Sequence, residues 1–357
     1  MNILGTGIIF SQGMGVSTLE SALRNGWLKP SEIDVPRTEG GKRPVYRVDL
    51  DAVPDRTLLK KIRRADKLSK MSVLAAADAL ADSGIADINL KKVGIILATA
   101  FGAQVTTFDF LDGILDYGDA GVSPTTFSNS VHNAAASYVS SSLNIQGPTL
   151  TVTQFRFSFQ SALQLAQTWL EQGRCDYLLV GAVDQYGDVL GYISEQKLIT
   201  ANDGRIKPFA FNPTCQVPGE GGFFFLLGNE NTEKGYCKVD AVYTHFDPDS
   251  GKPVDINLID ADGMLSDESA YISSLSGEIP TASYTPLCGS MMIGGAFNIS
   301  AAALMLKNQI RYATPVQDNP FSIRLLTESG NARIQSVRCI GCNCHGEKTA
   351  IYLSRLK

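Results

Sequence analysis

Between Gly147 and Gly173 the hydrophobic period of the chain changes within a few residues. Leu150-Thr151-Val152-Thr153 is a β-branched run that reads as a buried strand. Phe159, Leu163, Ala166 and Leu170 then form one helical stripe, widened by Ala162 and Trp169. A strand that turns directly into an amphipathic helix points to an α/β architecture. Such a turn is also where enzymes mount a nucleophile, because a helix N-terminus stabilises an anion and lowers a thiol's pKa. Here the turn carries Arg156, which cannot be a nucleophile.

The same alternation extends along the chain. Asn2 to Phe10 reads as a strand, and Ser17-Thr18-Leu19-Glu20 as the capped start of a helix toward Arg24. Pro30 to Lys42 reads as loop. Lys67 to Ser83 is a helix with Met71, Leu74, Ala75, Ala79 and Leu80 on one face, ended by Gly84. Val93 to Ala98 and Asp176 to Val183 are apolar runs expected of central strands. Ser123 begins a small-residue helix reaching about Leu143. Gly219-Glu220-Gly221-Gly222 turns into the strand Phe223 to Leu227. Near Lys234-Gly235 the pattern starts again: strand (Lys238 to His245), helix, strand, glycine-rich helix, and a closing strand pair from Arg333 to Leu353.

Composition narrows the function classes. The 357 residues carry a net charge of −5, with no basic run longer than Lys60-Lys61 plus Arg63-Arg64, which gives nucleic-acid binding little support. No segment approaches the roughly 18 apolar residues of a membrane span. The N-terminus lacks the cationic start and cleavage site of a signal peptide, and seven cysteines without a regular framework fit a reduced, cytoplasmic protein. At this length an internally duplicated α/β fold can form one compact unit, divided here into 1–235 and 236–357.

Gly147-Pro148, the strand, the helix, and Gly173 to Asp184 together resemble the β-ketoacyl synthase segment GPSxxVxTACSS followed by GxxDxxxxGG. Arg156 lies nine residues after Gly147 and 17 before Gly173, the place of that family's active cysteine. The family's NAHGTST segment is similar to Asp260-Ala261-Asp262-Gly263-Met264-Leu265-Ser266, which puts Asp262 at the first catalytic histidine. Its KSxxGHxxGAAG segment is similar to Thr285 to Ala296, with Ser290 at the second histidine and Thr285 at the lysine. The resemblance implies a thiolase-like fold, two pseudo-repeated βαβαβ halves in a five-layered α-β-α-β-α arrangement. It also implies a site stripped of its catalytic groups: with no thiolate no acyl-enzyme forms, and with no imidazoles nothing obvious stabilises the carbanion of a decarboxylating malonyl group. Arg156 then pairs with Asp262 across the pocket, or bonds a backbone carbonyl or a partner chain.

Among relatives of this kind, the resemblance is to chain-length factors, the non-catalytic subunits of type II polyketide and aryl-polyene systems. These commonly carry glutamine where Arg156 stands. The expected partners are an active ketosynthase α subunit, in a heterodimer across Phe127 to Leu143 and Thr149 to Phe155, and an acyl carrier protein bearing a phosphopantetheine-linked chain. No cofactor is expected. Large side chains at the boundary would end the partner's acyl tunnel, with Phe101, Phe108, Phe110, Phe155 and Phe157 as candidates by size and position, and any of them equally readable as core. Two other functions stay open: an acyltransferase using Ser158, Ser161, Cys288 or Ser290 with His345, and a scaffold that recruits carrier protein without enclosing a chain.

Two further features have competing readings. His132, just after a serine and before an asparagine, reads either as catalytic or interfacial, or as a histidine satisfied locally at a helix start. Cys339-Ile340-Gly341-Cys342-Asn343-Cys344-His345-Gly346 has the composition of a metal cluster, but four ligands on one short loop converge poorly. The resemblance places this stretch on the family's gating loop, with His345 at the gating phenylalanine.

Overall fold

The computed structural model describes residues 1–34, 41–230, 235–246, 252–275 and 277–356. Its main sheet has ten principal strands in chain order: β1 (Asn2–Phe10), β2 (Val93–Thr99), β3 (Thr149–Thr153), β4 (Tyr177–Asp184), β5 (Gly221–Gly228), β6 (Cys237–Tyr243), β7 (Ile256–Ile259), β8 (Thr281–Ala282), β9 (Ser336–Cys342) and β10 (Lys348–Ser354). The spatial order is β8-β7-β9-β10-β6-β1-β5-β4-β2-β3, with the two-residue strand Gly13–Met14 added beside β1.

This path is the same five-strand pattern twice. In each half the third strand lies parallel to the second and the second parallel to the fourth, whereas the fifth runs antiparallel to both the fourth and the first. The halves meet where Asn2 and Ile3 pair with Lys238 and Cys237. This duplicated, mixed α/β arrangement is the thiolase-like fold.

Helices α1 (Val16–Asn25), α2 (Lys67–Ser83), α3 (Gln104–Tyr117), α4 (Pro124–Asn129), α5 (Ala134–Leu143), α6 (Ser158–Glu171) and α7 (Gly295–Asn308) complete the layers. Asp66 caps α2 by accepting the Ser69 amide at 2.8 Å, and Gly84 closes it in the left-handed conformation. Glycines on β1 let α2 approach the sheet closely. A Cβ at Gly7 would stand 2.0 Å from the Ala75 carbonyl oxygen, so no other residue fits. Leu74, Val93, Ile95, Leu97, Val139 and Leu226 form the core under α2 and α5. A larger core, including Phe159, Leu163, Phe225, Leu258, Ala302 and Ile351, fills the space between the half-sheets around α6 and α7. On the far face of the second half-sheet, Ile259 and Ile340 pack against Tyr271 of a 3-10 segment, Ser269–Ser274.

Five local expectations change. The β3 strand is not buried: it is the last strand of the sheet, with Leu150 42% exposed, because no strand follows it. The helix expected over 123–143 is two helices, broken at residues 130–133. Ser128 and Ser130 hydroxyls bond the Thr125 and Phe127 carbonyls, competing with the backbone ladder. The α1 helix starts at Gly15 without a side-chain cap. Residues 30–42 contain two short antiparallel strands, Ser31–Asp34 and Lys42–Val45, and the stretch between them lies outside the described residues. In the second half the described residues form no helix between β6 and β7, where 247–251 lie outside them, and the 3-10 segment Ser269–Ser274 follows β7.

Candidate functional site

The chain leaves β3 at Thr153 and enters α6 at Ser158, and Phe157 makes the turn in a left-handed conformation, φ 68°. A tight turn of this hand points Arg156 inward between the halves, where it is only 8% exposed. The opposing wall comes from the loop after β7. There Gly263 (φ 75°) is required, since a Cβ would lie 2.0 Å from the Cys215 carbonyl oxygen.

The guanidinium of Arg156 makes a two-pronged contact with Asp262, Nη2 to Oδ1 at 3.1 Å and Nη1 to Oδ2 at 3.5 Å. Asp262 Oδ1 also accepts the Met264 amide at 3.0 Å. Ser290 donates its hydroxyl to the Asp262 carbonyl and accepts the Val217 amide at 3.0 Å. Thr285 donates to the Ala261 carbonyl at 2.9 Å. The four positions that the family resemblance picked out, 156, 262, 285 and 290, therefore meet in one buried cluster.

Three further groups join them: Asp260, which opens the 260–266 segment without an expected role, and Glu268 and Tyr271, which lie outside every motif. Glu268 Oε1 accepts the amides of Asp262 (3.3 Å) and Gly263 (3.1 Å), and the Tyr271 hydroxyl donates to Asp260. One guanidinium is thus surrounded by three buried carboxylates. Burial opposes the charge on Arg156, but Asp262, Asp260 and Glu268 together outweigh it and hold the cation more firmly than in free arginine. Burial pushes Asp260 up to about 6, against the pull of Arg156 and the Tyr271 hydrogen bond. Glu268 is also raised, by burial and then by Asp262.

A pH dependence follows. Asp260 keeps its proton in the folded chain up to about pH 6 but releases it near its ordinary value of 3.8 when unfolded, so the folded state binds more protons in that window. The stabilisation is complete below the lower value and is lost as pH rises through the upper. Relative to wild type, Asp260→Asn should flatten the decline in denaturant stability between pH about 4 and about 7, by about 3 kcal/mol. Chemical denaturation of both proteins across that range measures it.

Nucleophilic chemistry finds no support in this geometry. Burial raises the Cys288 thiol well above its usual range, and the Ser290 hydroxyl is committed to the backbone. The Ser158 hydroxyl is buried without a hydrogen-bond partner among the described residues, and Ser161 bonds Gln154 at 3.2 Å. His132, His245 and His345 are all exposed. The acyltransferase reading therefore loses its base: His345 sits on the turn between β9 and β10, its amide bonded to the Asn343 side chain at 3.0 Å. Cys339 and Cys342 are buried on β9 and Cys344 is exposed, and no group of metal ligands forms among the described residues.

The aromatic candidates divide into three. Phe101 and Phe155 have ring centroids 5.7 Å apart, and Phe155 is 67% exposed beyond the end of β3. Phe108 and Phe110 lie on α3, with Phe110 5.4 Å from Phe127 of α4. Phe157 is buried. The His132 ring packs on Gly102, leaving no room for a Cβ there. Phe101, Asp184, Met264 and Ser290 line a cavity of about 40 Å³ between the aromatic pair and the Arg156 cluster. That is far below the roughly 300 Å³ at which small-molecule pockets begin.

Residues 1–232 match the family model for the β-ketoacyl synthase N-terminal domain. The chain belongs to the β-ketoacyl synthase family. Its curated relatives include 3-oxoacyl-[acyl-carrier-protein] synthase 2 of Coxiella burnetii, 22% identical over 219 residues, which are 56% of this chain and 50% of that one. Nodulation protein E of Rhizobium meliloti is 26% identical over 147 residues, 40% of this chain and 37% of the relative. The matched region thus spans half or less of these relatives' lengths. Among solved structures, the ishigamide ketosynthase/chain length factor superposes with a TM-score of 0.81 at 15% identity, covering 100% of this chain and 99% of that one. A type II PKS acyl-carrier protein in complex with its ketosynthase gives 0.80 at 15% identity, with the same coverage. These likenesses establish the ketosynthase fold. Among the described residues no helix is long and apolar enough to cross a membrane.

Proposed function

We propose that this ketosynthase-family chain is a non-catalytic subunit of the chain-length-factor type. It would pair with an active β-ketoacyl synthase and shape the acyl tunnel of that partner, in cytoplasmic type II polyketide or aryl-polyene assembly. The observation that carries the reading is the cluster itself: Arg156, Asp262 and Ser290, which the resemblance puts at the family's cysteine and histidine places, form a closed, mutually bonded set. A guanidinium forms no acyl-enzyme, and the cavity lined by Phe101, Met264 and Ser290 measures only about 40 Å³.

The edge of the sheet supports a partner chain. A terminal strand with free backbone groups invites pairing with another chain, and β3 carries exposed Leu150 on it and exposed Phe155 just beyond it. Exposed Phe127 and Val131 extend the apolar surface along α4 and the turn after it. The carrier protein would deliver its phosphopantetheine-linked chain to the partner's thiol, and the growing end would advance toward this surface. Of the five aromatic candidates, the Phe101 and Phe155 pair is favoured as the stop, because it combines exposure at the boundary with mutual support.

Product analysis of the reconstituted complex tests this. Phe101→Ala combined with Phe155→Ala should lengthen the product by at least one extension unit, whereas Phe157→Ala should chiefly destabilise the chain. An unchanged product distribution with the double variant would defeat the steric reading. A carrier-binding scaffold, by contrast, would bind carrier protein without co-purifying with a ketosynthase.

A further inference from the structure

A steric stop at Phe101 and Phe155 must resist an advancing chain, so the backbone beneath the two rings has to be fixed. The strands β3, β2 and β4 lie side by side and parallel, which brings their C-terminal ends together. Phe101 follows closely on β2 and Phe155 on β3, while β4 ends in Asp184.

Asp184 is only 3% exposed, and one of its oxygens collects three donors from a single turn. Oδ1 accepts the Thr99 hydroxyl at 2.7 Å, the Ala100 amide at 3.0 Å and the Phe101 amide at 3.2 Å. Burial pushes this carboxyl up to about 6, so it is charged at neutral pH and its bonds are of the stronger, charge-assisted kind. Thr99 extends the anchorage in two directions. Its hydroxyl oxygen accepts the Gly102 amide at 2.9 Å, and its carbonyl accepts the amide of Gln154, next to Phe155, at 3.2 Å. Gly102 then turns the chain at φ 59°, fenced by the His132 ring. The backbone is therefore held before, at and after Phe101, and immediately before Phe155.

We propose that Asp184 is a positioning residue for product length: through Thr99 it locks the turn that carries Phe101 and the strand end that carries Phe155. A ring on a loose turn would swing aside under a growing chain and give mixed products, whereas a clamped ring gives one length. The inference rests on the tunnel-shaping function proposed above.

Product analysis of the complex reconstituted with an active ketosynthase tests it. In Asp184→Leu the ratio of wild-type-length to longer product should fall about tenfold, because the donors of the turn lose their charged acceptor. Asp184→Asn keeps the accepting oxygen and puts its amide where Oδ2 has no partner among the described residues, so it should restore the wild-type length. Thr99→Val, which removes only the hydroxyl, should lower the same ratio by a smaller factor, and it decides the outcome if the leucine variant fails to assemble. Added to Phe101→Ala with Phe155→Ala, Asp184→Leu should lengthen the product no further, because the rings it positions are gone. Wild-type product from Asp184→Leu or Thr99→Val, alongside longer product from the aromatic double variant, would overturn the inference and leave the proposed function standing. Further lengthening in the combined variant would also overturn it, as a mark of general loosening. An unchanged product from the aromatic double variant would instead remove the proposed function, and this inference with it.

Discussion

Replacing Arg156 by methionine should lower the unfolding free energy by about 3–5 kcal/mol, the usual cost of leaving a buried charge without its partner. Asp262, Asp260 and Glu268 would then face one another with no cation between them. Removing Asp262 as well, in Arg156→Met with Asp262→Leu, should recover much of that loss, since buried ion pairs exchange for apolar pairs at little net cost. Denaturant unfolding of the two single variants and the double closes a cycle whose coupling energy reports the pair directly. Arg156→Cys should not create a synthase: the new thiol would stand among carboxylates that disfavour the thiolate, with no imidazole at 262 or 290.

The second large effect concerns the exposed edge. Leu150→Glu combined with Phe155→Glu should weaken association with a partner ketosynthase by at least about 100-fold, because charges would replace apolar anchors at the centre of the proposed interface. Both side chains are exposed in the isolated chain, so its own Tm should shift little. Co-purification together with a thermal melt separates the two outcomes. Undiminished association would place the interface elsewhere and remove the tunnel argument with it.

Much of the fold was legible because its signals are local. The α2 helix carries its own cap at Asp66, its own stop at Gly84 and a clean stripe between them, and its bounds coincide with those read from the sequence. Central strands β2, β4 and β5 were visible as apolar runs for the same reason. The burial of β3 was misread because β-branched residues announce a strand without saying whether a further strand lies beside it. Serine hydroxyls that bond their own turn split the 123–143 helix, an effect that a small-residue pattern conceals.

The candidate site divides in the same way. Positions 156, 262 and 290 could be found because they lie in short segments that resemble family motifs. Asp260, Glu268 and Tyr271 acquire their meaning only when the second half closes over the strand-to-helix turn, where burial raises Asp260 to about 6. His345, which the resemblance puts at the gating position, lies on the exposed turn at 343–347, where its amide donates to the Asn343 side chain at 3.0 Å.

Intact-protein mass spectrometry after incubation with a malonyl- and acyl-loaded carrier protein is the most direct measurement, made on this chain alone and on its complex with an active ketosynthase. The expected result is an unmodified mass for this chain in both samples, with acylation confined to the ketosynthase and condensation only in the complex. Acylation of this chain, or a condensed product from this chain alone, would contradict a non-catalytic role.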